Sequence, residues 1–423
     1  MTFDVAVIGA GAAGLAAART LSGAGKRVCL IEARERAGGR ISTLHLPDLP
    51  VPIEFGAEFL HGEAASTFEI VDAAALPVYQ LHDLHYFSRN GSMTRIRDFW
   101  GDIERIRARI GSLKRDISFA EFLRKQRSIS PRMRKLACNF VEGYHAAHAD
   151  RISALALRVS DSEQEGAPKQ YRLASGYDSV IAWMRAGLDP NHVDLRFGSI
   201  AKRVQWSKGR VEIDCGTFNV RARAAILTIP IGVWKAPQDQ EGAIVFDPPL
   251  REKERALAHL ETGHVVRITF RFRERFWEKH RATFVHTDDR FMPTWWTSAP
   301  MRSPLLVGWA GGHCADALLA EHPAIIDRAL DSMSRAFGIP RRRLDALLAG
   351  TWMHDWQSDP FSRGAYSYAG VGGAGAHAVL AKPIRNTLFF AGEATSTDET
   401  GTVAGAIATG YRATQKLLRG VLT

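Results

Sequence analysis

The chain has 423 residues, 46% of them hydrophobic and 9% aromatic. That is enough for two domains or one core with a large insertion, and it excludes disorder as the main state. The net charge is +10. The densest basic stretch, 95–135, is broken by acids as on a solvated helical face, and no nucleic-acid motif accompanies it, so no nucleic-acid partner is expected. Four distant cysteines without a CxxC pair exclude a zinc ribbon or disulfide framework and fit a reducing cytoplasm.

In chain order, the first 32 residues spell a βαβ unit: a buried strand at Asp4–Ile8, an alanine-rich helix at Ala12–Ala24 and a second strand at Arg27–Ile31. The opening run MTFDVAVIGAGAAG has no basic start, long apolar stretch or cleavage site. From about Arg95 to Met184 the pattern is mostly helical, with breaks at Ser130-Pro131 and near Ala167-Pro168. Residues 194–230 alternate apolar and polar side chains between turn signals and predict several strands. HVVRITFRF, ATFVHT, MPTWWTS and LLVGWAG predict more. The uncharged segment 364–381 holds five glycines beside Tyr, Ser and His, which argues against a membrane helix. The C-terminal part returns to a strand, KPIRNTLFFAGEA, and a small-residue helix. This order predicts an α/β fold with a Rossmann-like nucleotide-binding domain built from discontinuous segments 1–80, 192–240 and 376–423. A substrate-binding domain of mixed sheet and helices would come from 81–191 and 241–375.

Between the first strand and helix, Gly9, Gly11 and Gly14 form GxGxxG, with Ala13 inside it. Gly9 allows a tight turn, Gly11 lets backbone approach a pyrophosphate, and Gly14 lets helix and strand pack closely. The helix N-terminus supplies unpaired N–H groups and a partial positive charge. Glu32 ends the second strand 18 positions after Gly14, where a carboxylate accepts from ribose hydroxyls. These features fit NAD or FAD. The following run EARERAGGR, with Arg34, Gly39 and Arg40, favours further contact with a diphosphate and a flavin.

From these motifs the chain resembles the flavin-dependent amine oxidase superfamily of monoamine oxidases, polyamine oxidases and flavin lysine demethylases. The resemblance also rests on IEFGAEFLHG at 53–62, LTIPIGVWK at 227–235, GHVVRITFRFRERFW at 263–277, WQSDPFSRGAYSY at 356–368, LFFAGEATS and GTVAGAIATGYRA. It implies FAD, with Glu32 on the adenosine ribose, Ala201 meeting adenine through its main chain, and Arg34, Arg40, Gly392 and Glu393 near the pyrophosphate. Glu58, Phe59, Trp356 and Phe361 would border the flavin, and the N–H groups of Thr402 and Val403 would face its N1/C2=O edge. Ala365 stands where monoamine oxidases carry the flavin-linking cysteine, which implies non-covalent FAD.

The resemblance also implies an amine substrate. Its carbon gives a hydride to flavin N5 and the imine hydrolyses, with O2 as acceptor and H2O2 as product. The alternative is a dehydrogenase or desaturase with another acceptor or a non-amine substrate. Tyr366 would wall an amine cage, left half-built because Thr402 replaces a second tyrosine, and His61 would face the pocket. Arg267 occupies the place of the usual flavin-proximal lysine, with Lys235 and Lys253 as alternatives in another register. Phe140, Tyr144, His145 and His148 would line the entrance. The HxxH pair His145/His148 lacks a third ligand, so no metal is expected. Glu58 and Phe59 follow Gly56-Ala57 where amino-acid oxidases place a carboxylate-clamping arginine, which favours a primary, secondary or polyamine. No membrane partner is expected, and a homodimer is allowed.

Overall fold

The computed structural model describes residues 2–160 and 169–420, so the break expected at Ala167-Pro168 lies outside them. The first strand runs Thr2–Ile8, the first helix Ala12–Gly23 and the second strand Val28–Ile31. They lie inside one eight-stranded sheet. Its spatial order is Val193–Arg196, Val28–Ile31, Thr2–Ile8, Asn219–Leu227, Arg210–Asp214, Arg203–Ser207 and Val245–Asp247, with Leu388–Phe390 also pairing with Asn219–Leu227. Pairing is parallel through the buried centre, where Ile8 registers with both Ile31 and Leu227. There the strands read as near-continuous apolar runs, as a sheet covered on both faces requires.

Both faces are covered by helix or apolar loop. The last helix, Val403–Gly420, lies against the first. A Cβ on Gly410 would stand 2.4 Å from the Ala13 carbonyl and 3.0 Å from Ala16 Cβ, so small residues set that close approach. At the turn, a Cβ on Gly14 would meet the Gly9 carbonyl at 1.8 Å, and Gly9 itself has φ +101°. Only glycine fits either place.

The second sheet has seven strands: Leu348–Met353, Val265–Phe272, Leu305–Gly311, Thr294–Thr297, Phe284–His286, His85–Arg89 and Ser92–Arg95. It is antiparallel except where Phe284–His286 runs beside His85–Arg89. The helices Gly312–Leu319 and Ile325–Phe337 bury Cys314, Leu318, Leu330 and Met333 against its apolar face. Helices Phe99–Arg107, Phe119–Lys125 and Pro131–Tyr144 form the insertion, and Ser130 caps the last of them by accepting from Met133 N at 3.3 Å. No helix among the described residues is long and apolar enough to cross a membrane.

Two segments sit elsewhere than the sequence division suggests. Val180, Ile181 and Met184 of the helix Asp178–Ala186 join the core that holds Ala17 and Leu21 of the first helix, although they fall in the expected substrate segment 81–191. Val245–Asp247, expected beyond the boundary at 240, extends the first sheet. In both cases an apolar face finds its complement on the nucleotide-binding side, which chain order does not reveal.

Gly410→Val should lower stability by about 1–3 kcal/mol through overpacking between the terminal helices. Gly23→Ala, with nothing within 4 Å of its Cβ position, should leave the thermal midpoint unchanged or raise it slightly.

Candidate active site

One cavity of about 510 Å³ runs from the glycine turn into the second sheet. Its nucleotide end is built by backbone. Gly11 makes no side-chain cap on the first helix, and that helix has no acidic residue in its first turn, so its leading N–H groups stay open to an anion. Glu32 is 4% exposed and accepts from Ala10 N at 2.8 Å and Arg34 N at 2.9 Å, which ties the glycine turn to the end of the second strand. Arg36 braces the following loop through the carbonyls of Ala37, Gly39 and Ile41.

The arginines here are held by partners. Arg34 pairs with Asp359 at 2.6 Å, donates to Ser362 and lies over the Phe361 ring. Arg40 pairs with Glu393 at 3.0 Å, and Arg40 also donates to the Ala365 carbonyl. From the far end of the chain, Thr402 begins the last helix by accepting from Gly405 N at 2.9 Å. No acidic residue occupies that first turn either. Two helix N-termini therefore face one cavity.

Of the residues singled out from sequence, Gly9, Gly11, Ala13, Glu32, Arg34, Gly39, Arg40, Glu58, Phe59, His61, Ala201, Arg267, Trp356, Phe361, Tyr366, Gly392, Glu393, Thr402 and Val403 all line this cavity. Gly14 lies beneath it, in the helix–strand contact. Phe140, Tyr144 and His145 reach the outer end, whereas His148 turns away from it. Lys235 donates to Leu260 O, and Lys253 is buried against the Val379 and Lys382 carbonyls, so neither replaces Arg267.

Beyond Trp356, whose Nε1 donates to Phe55 O at 2.9 Å, the walls become aromatic. Tyr366 donates to Tyr144 O at 2.7 Å, and burial raises its pKa so that it stays a neutral phenol. Its ring packs so close that a Cβ on Gly401 would lie 3.0 Å away. His61 lies edge-on to Tyr144, with centroids 5.4 Å apart, and its Nδ1 has no hydrogen-bond partner. Burial pushes its pKa down to about 4, so it is neutral at pH 7. Further out, Asp83 accepts from His85 Nε2 at 2.8 Å, and His85 Nδ1 is 2.8 Å from His286 Nε2.

Arg267 is 5% exposed. Its Nη2 lies 2.7 Å from Glu58 Oε2, and its Nη1 donates to Gly56 O at 2.9 Å. Glu58 is shared: Arg172 approaches its Oε1 at 2.8 Å and Trp296 Nε1 donates to Oε2 at 3.0 Å. Burial presses the Arg267 pKa down, and the Glu58 charge opposes that shift. The result is two buried guanidinium groups fixed by one carboxylate beside the aromatic pocket.

Residues 12–418 match the family of flavin containing amine oxidoreductases. The chain belongs to this family. A rice protein named polyamine oxidase 3 (Oryza sativa subsp. japonica) is 30% identical over 98% of this chain and 89% of its own length. An Arabidopsis thaliana protein named lysine-specific histone demethylase 1 homolog 2 is 27% identical over 98% of this chain and 58% of its own. Among solved structures, cyclohexylamine oxidase from Brevibacterium oxydans IH-35A superimposes with a TM-score of 0.86 at 21% identity over the whole of both chains. Putrescine oxidase bound to putrescine does so at 0.84 and 21%, over 99% of both. These two structures share the fold. As a flavin amine oxidoreductase the chain is an enzyme, and its nucleotide end suits a flavin.

Several residues at or beside the cavity of this oxidoreductase carried no local signal. Trp296 and Trp309 face the pocket from neighbouring strands, and Arg172 reaches Glu58 from 114 positions away in the chain. A sequence pattern shows such residues as ordinary strand aromatics or charges. Only their convergence gives them a role.

Two outcomes follow from burial. Glu58→Ala would strand two buried positive charges and should cost about 3–5 kcal/mol in urea unfolding, with part of the loss recovered by adding Arg267→Met. His61 titrates near 6.5 when unfolded and about 4 when folded, so the unfolded chain takes up the proton first and stability falls as pH drops through that window. His61→Gln should lessen the loss between pH 7.5 and 4.5 by about 2–3 kcal/mol.

Proposed function

We propose that this enzyme is an amine oxidase holding FAD non-covalently. The observation that carries the reading is one cavity joining a two-ended dinucleotide cradle to an aromatic pocket with a buried cation beside it. Glu32 takes the adenosine ribose, Ala201 the adenine, and the N-terminus of Ala12–Gly23 the pyrophosphate, with Arg34, Arg40 and Glu393 ordering the surrounding loop. Glu58, Phe59, Trp356 and Phe361 border the flavin. Thr402 caps the last helix so that its leading N–H groups meet the flavin edge where negative charge develops on reduction. When bound, FAD would supply the two-electron oxidation of an amine carbon to an imine, which water hydrolyses, with O2 as the acceptor that is reduced to H2O2.

The protein's own part is positioning and electrostatics. Tyr366 and the tryptophan faces receive the ammonium, and the neutral His61 offers a buried, unpaired nitrogen to the amine. The carboxylate bordering this end, Glu58, is held by two arginines, so ring faces rather than a free acid select the substrate. This suits a small primary or secondary amine or a polyamine entering by one end, in keeping with relatives named for polyamines. Ala365 at the position expected for a flavin-linking cysteine supports a non-covalent cofactor, and four free, separated cysteines support a cytoplasmic setting.

A second reading keeps amine oxidation but uses a different electron acceptor. It is favoured by the Arg267 guanidinium, which is held by Glu58 and Gly56 and is not free to hold a water as the lysine of relatives would.

Denaturing the yellow protein with acid or heat should release all its flavin into the supernatant, and colour retained on the washed chain would contradict non-covalent binding. Mixing with an amine panel without oxygen should bleach the 450 nm-type band, and bleaching by no amine would overturn the oxidase reading. Admitting air should then restore the band rapidly in wild type and about tenfold more slowly in Arg267→Met, because a positive charge beside the developing oxygen anion is lost. Slow recovery already in wild type would favour the second reading.

A further inference from the structure

His148, His264 and Asp316 meet outside the cavity lining, next to Tyr368, which belongs to it. They come from three separate places: the loop after Pro131–Tyr144, the residue before Val265–Phe272, and the helix Gly312–Leu319. One nitrogen of each imidazole and one carboxylate oxygen lie within 4.8 Å of one another. His148 Nε2 is 2.6 Å from Asp316 Oδ2, and His264 Nδ1 is 2.6 Å from Asp316 Oδ1. The HxxH spacing does not supply this pair, since His145 lines the cavity instead.

We propose that His148, His264 and Asp316 form a binding site for a divalent transition-metal ion of the zinc class, which braces the wall of the amine cage. The donor set, two imidazoles and a carboxylate, is one that borderline cations prefer and that Ca2+ and Mg2+ do not. The other ring nitrogen of the buried His148 lies 3.3 Å from the Tyr368 hydroxyl, an outer partner of the kind that fixes the orientation of a metal-bound histidine. Asp316 and His264 keep 43% and 40% of their side-chain surface, which leaves a route for the ion and a fourth position for water. Beside them, His313 contacts Glu142 at 2.6 Å and Asp150 at 3.2 Å and lies edge-on to His148. Three carboxylates around three imidazoles make the surroundings attractive to a dication.

Tetrahedral coordination needs donor atoms about 3.3 Å apart, so the 2.6 Å contact to the ligating carboxylate oxygen must open slightly as the ion takes its place between the two. The two half-exposed side chains have room to do so. An ion there would link segments that already hold Tyr366. Gly263 N donates to Tyr366 O at 2.7 Å, Ala365 N donates to Gly263 O at 2.8 Å, and His264 N donates to Ala146 O at 3.0 Å.

The test uses chelator-treated holoenzyme titrated with Zn2+ alone, followed by calorimetry and elemental analysis, with flavin absorbance as the check on folding. One Zn2+ per chain is expected at pH 7.5. Asp316→Asn and His264→Gln should each weaken binding at least tenfold. His45→Gln, at an exposed surface histidine paired with Asp178, should leave it unchanged. His264 is half-exposed, so its variant keeps the test valid should Asp316→Asn lose its flavin. No binding below about 100 µM, or binding equal in wild type and both site variants, would overturn the site. None of these readouts depends on the amine reaction.

Discussion

The close contact between the first and last helices is the constraint on which the site depends. Ala13, Ala16 and Gly410 let the two helices approach until another methyl group would collide with backbone. Parallel pairing of Thr2–Ile8, Asn219–Leu227 and Leu388–Phe390 brings both helix starts to the same end of the sheet. Each N-terminus lacks an acidic residue in its first turn, so each contributes partial positive charge at one end of the cavity. A flavin cofactor carries negative charge on its phosphate and, once reduced, on its ring. Sheet order thus supplies both electrostatic anchors without a metal ligand or a nucleophile.

The second sheet answers a different demand. A pocket of ring faces beside a neutral His61 suits an amine, whose cationic form the rings attract and whose neutral form the apolar walls accept. The Glu58 cluster puts permanent charge nearby without offering a free carboxylate. Burying Arg267 and Arg172 would be costly alone, and a single carboxylate held between them offsets that cost and fixes their geometry. An arginine at this position therefore does more than supply a charge. A guanidinium makes two directed contacts at once, to Glu58 and Gly56, which a point-like ammonium would not.

The nucleotide half was readable from residues because its requirements are local. A glycine turn, an alanine-rich helix and an acid at a strand end must occur in order within some thirty residues, and the strand at Thr2–Ile8 and the helix at Ala12–Gly23 follow that order closely. The late motifs were readable through likeness to a family, since GEATS and GTVAG keep their local form. Arg267 and Tyr366 were singled out by position in such motifs and both line the cavity, but their hydrogen bonds were not legible.

Tertiary structure alone decided the rest, because the relevant neighbours lie more than a hundred residues apart in the chain. Nothing near His148 in sequence announces His264 or Asp316, and nothing near Glu58 announces Arg172. Whether Asp178–Ala186 belonged to the insertion or the nucleotide core depended on which apolar surface could accept its buried stripe. Local steric and hydrogen-bonding rules specify turns, caps and strands. Which charges share a carboxylate, and which rings close a pocket, is set by the packing of whole sheets against one another.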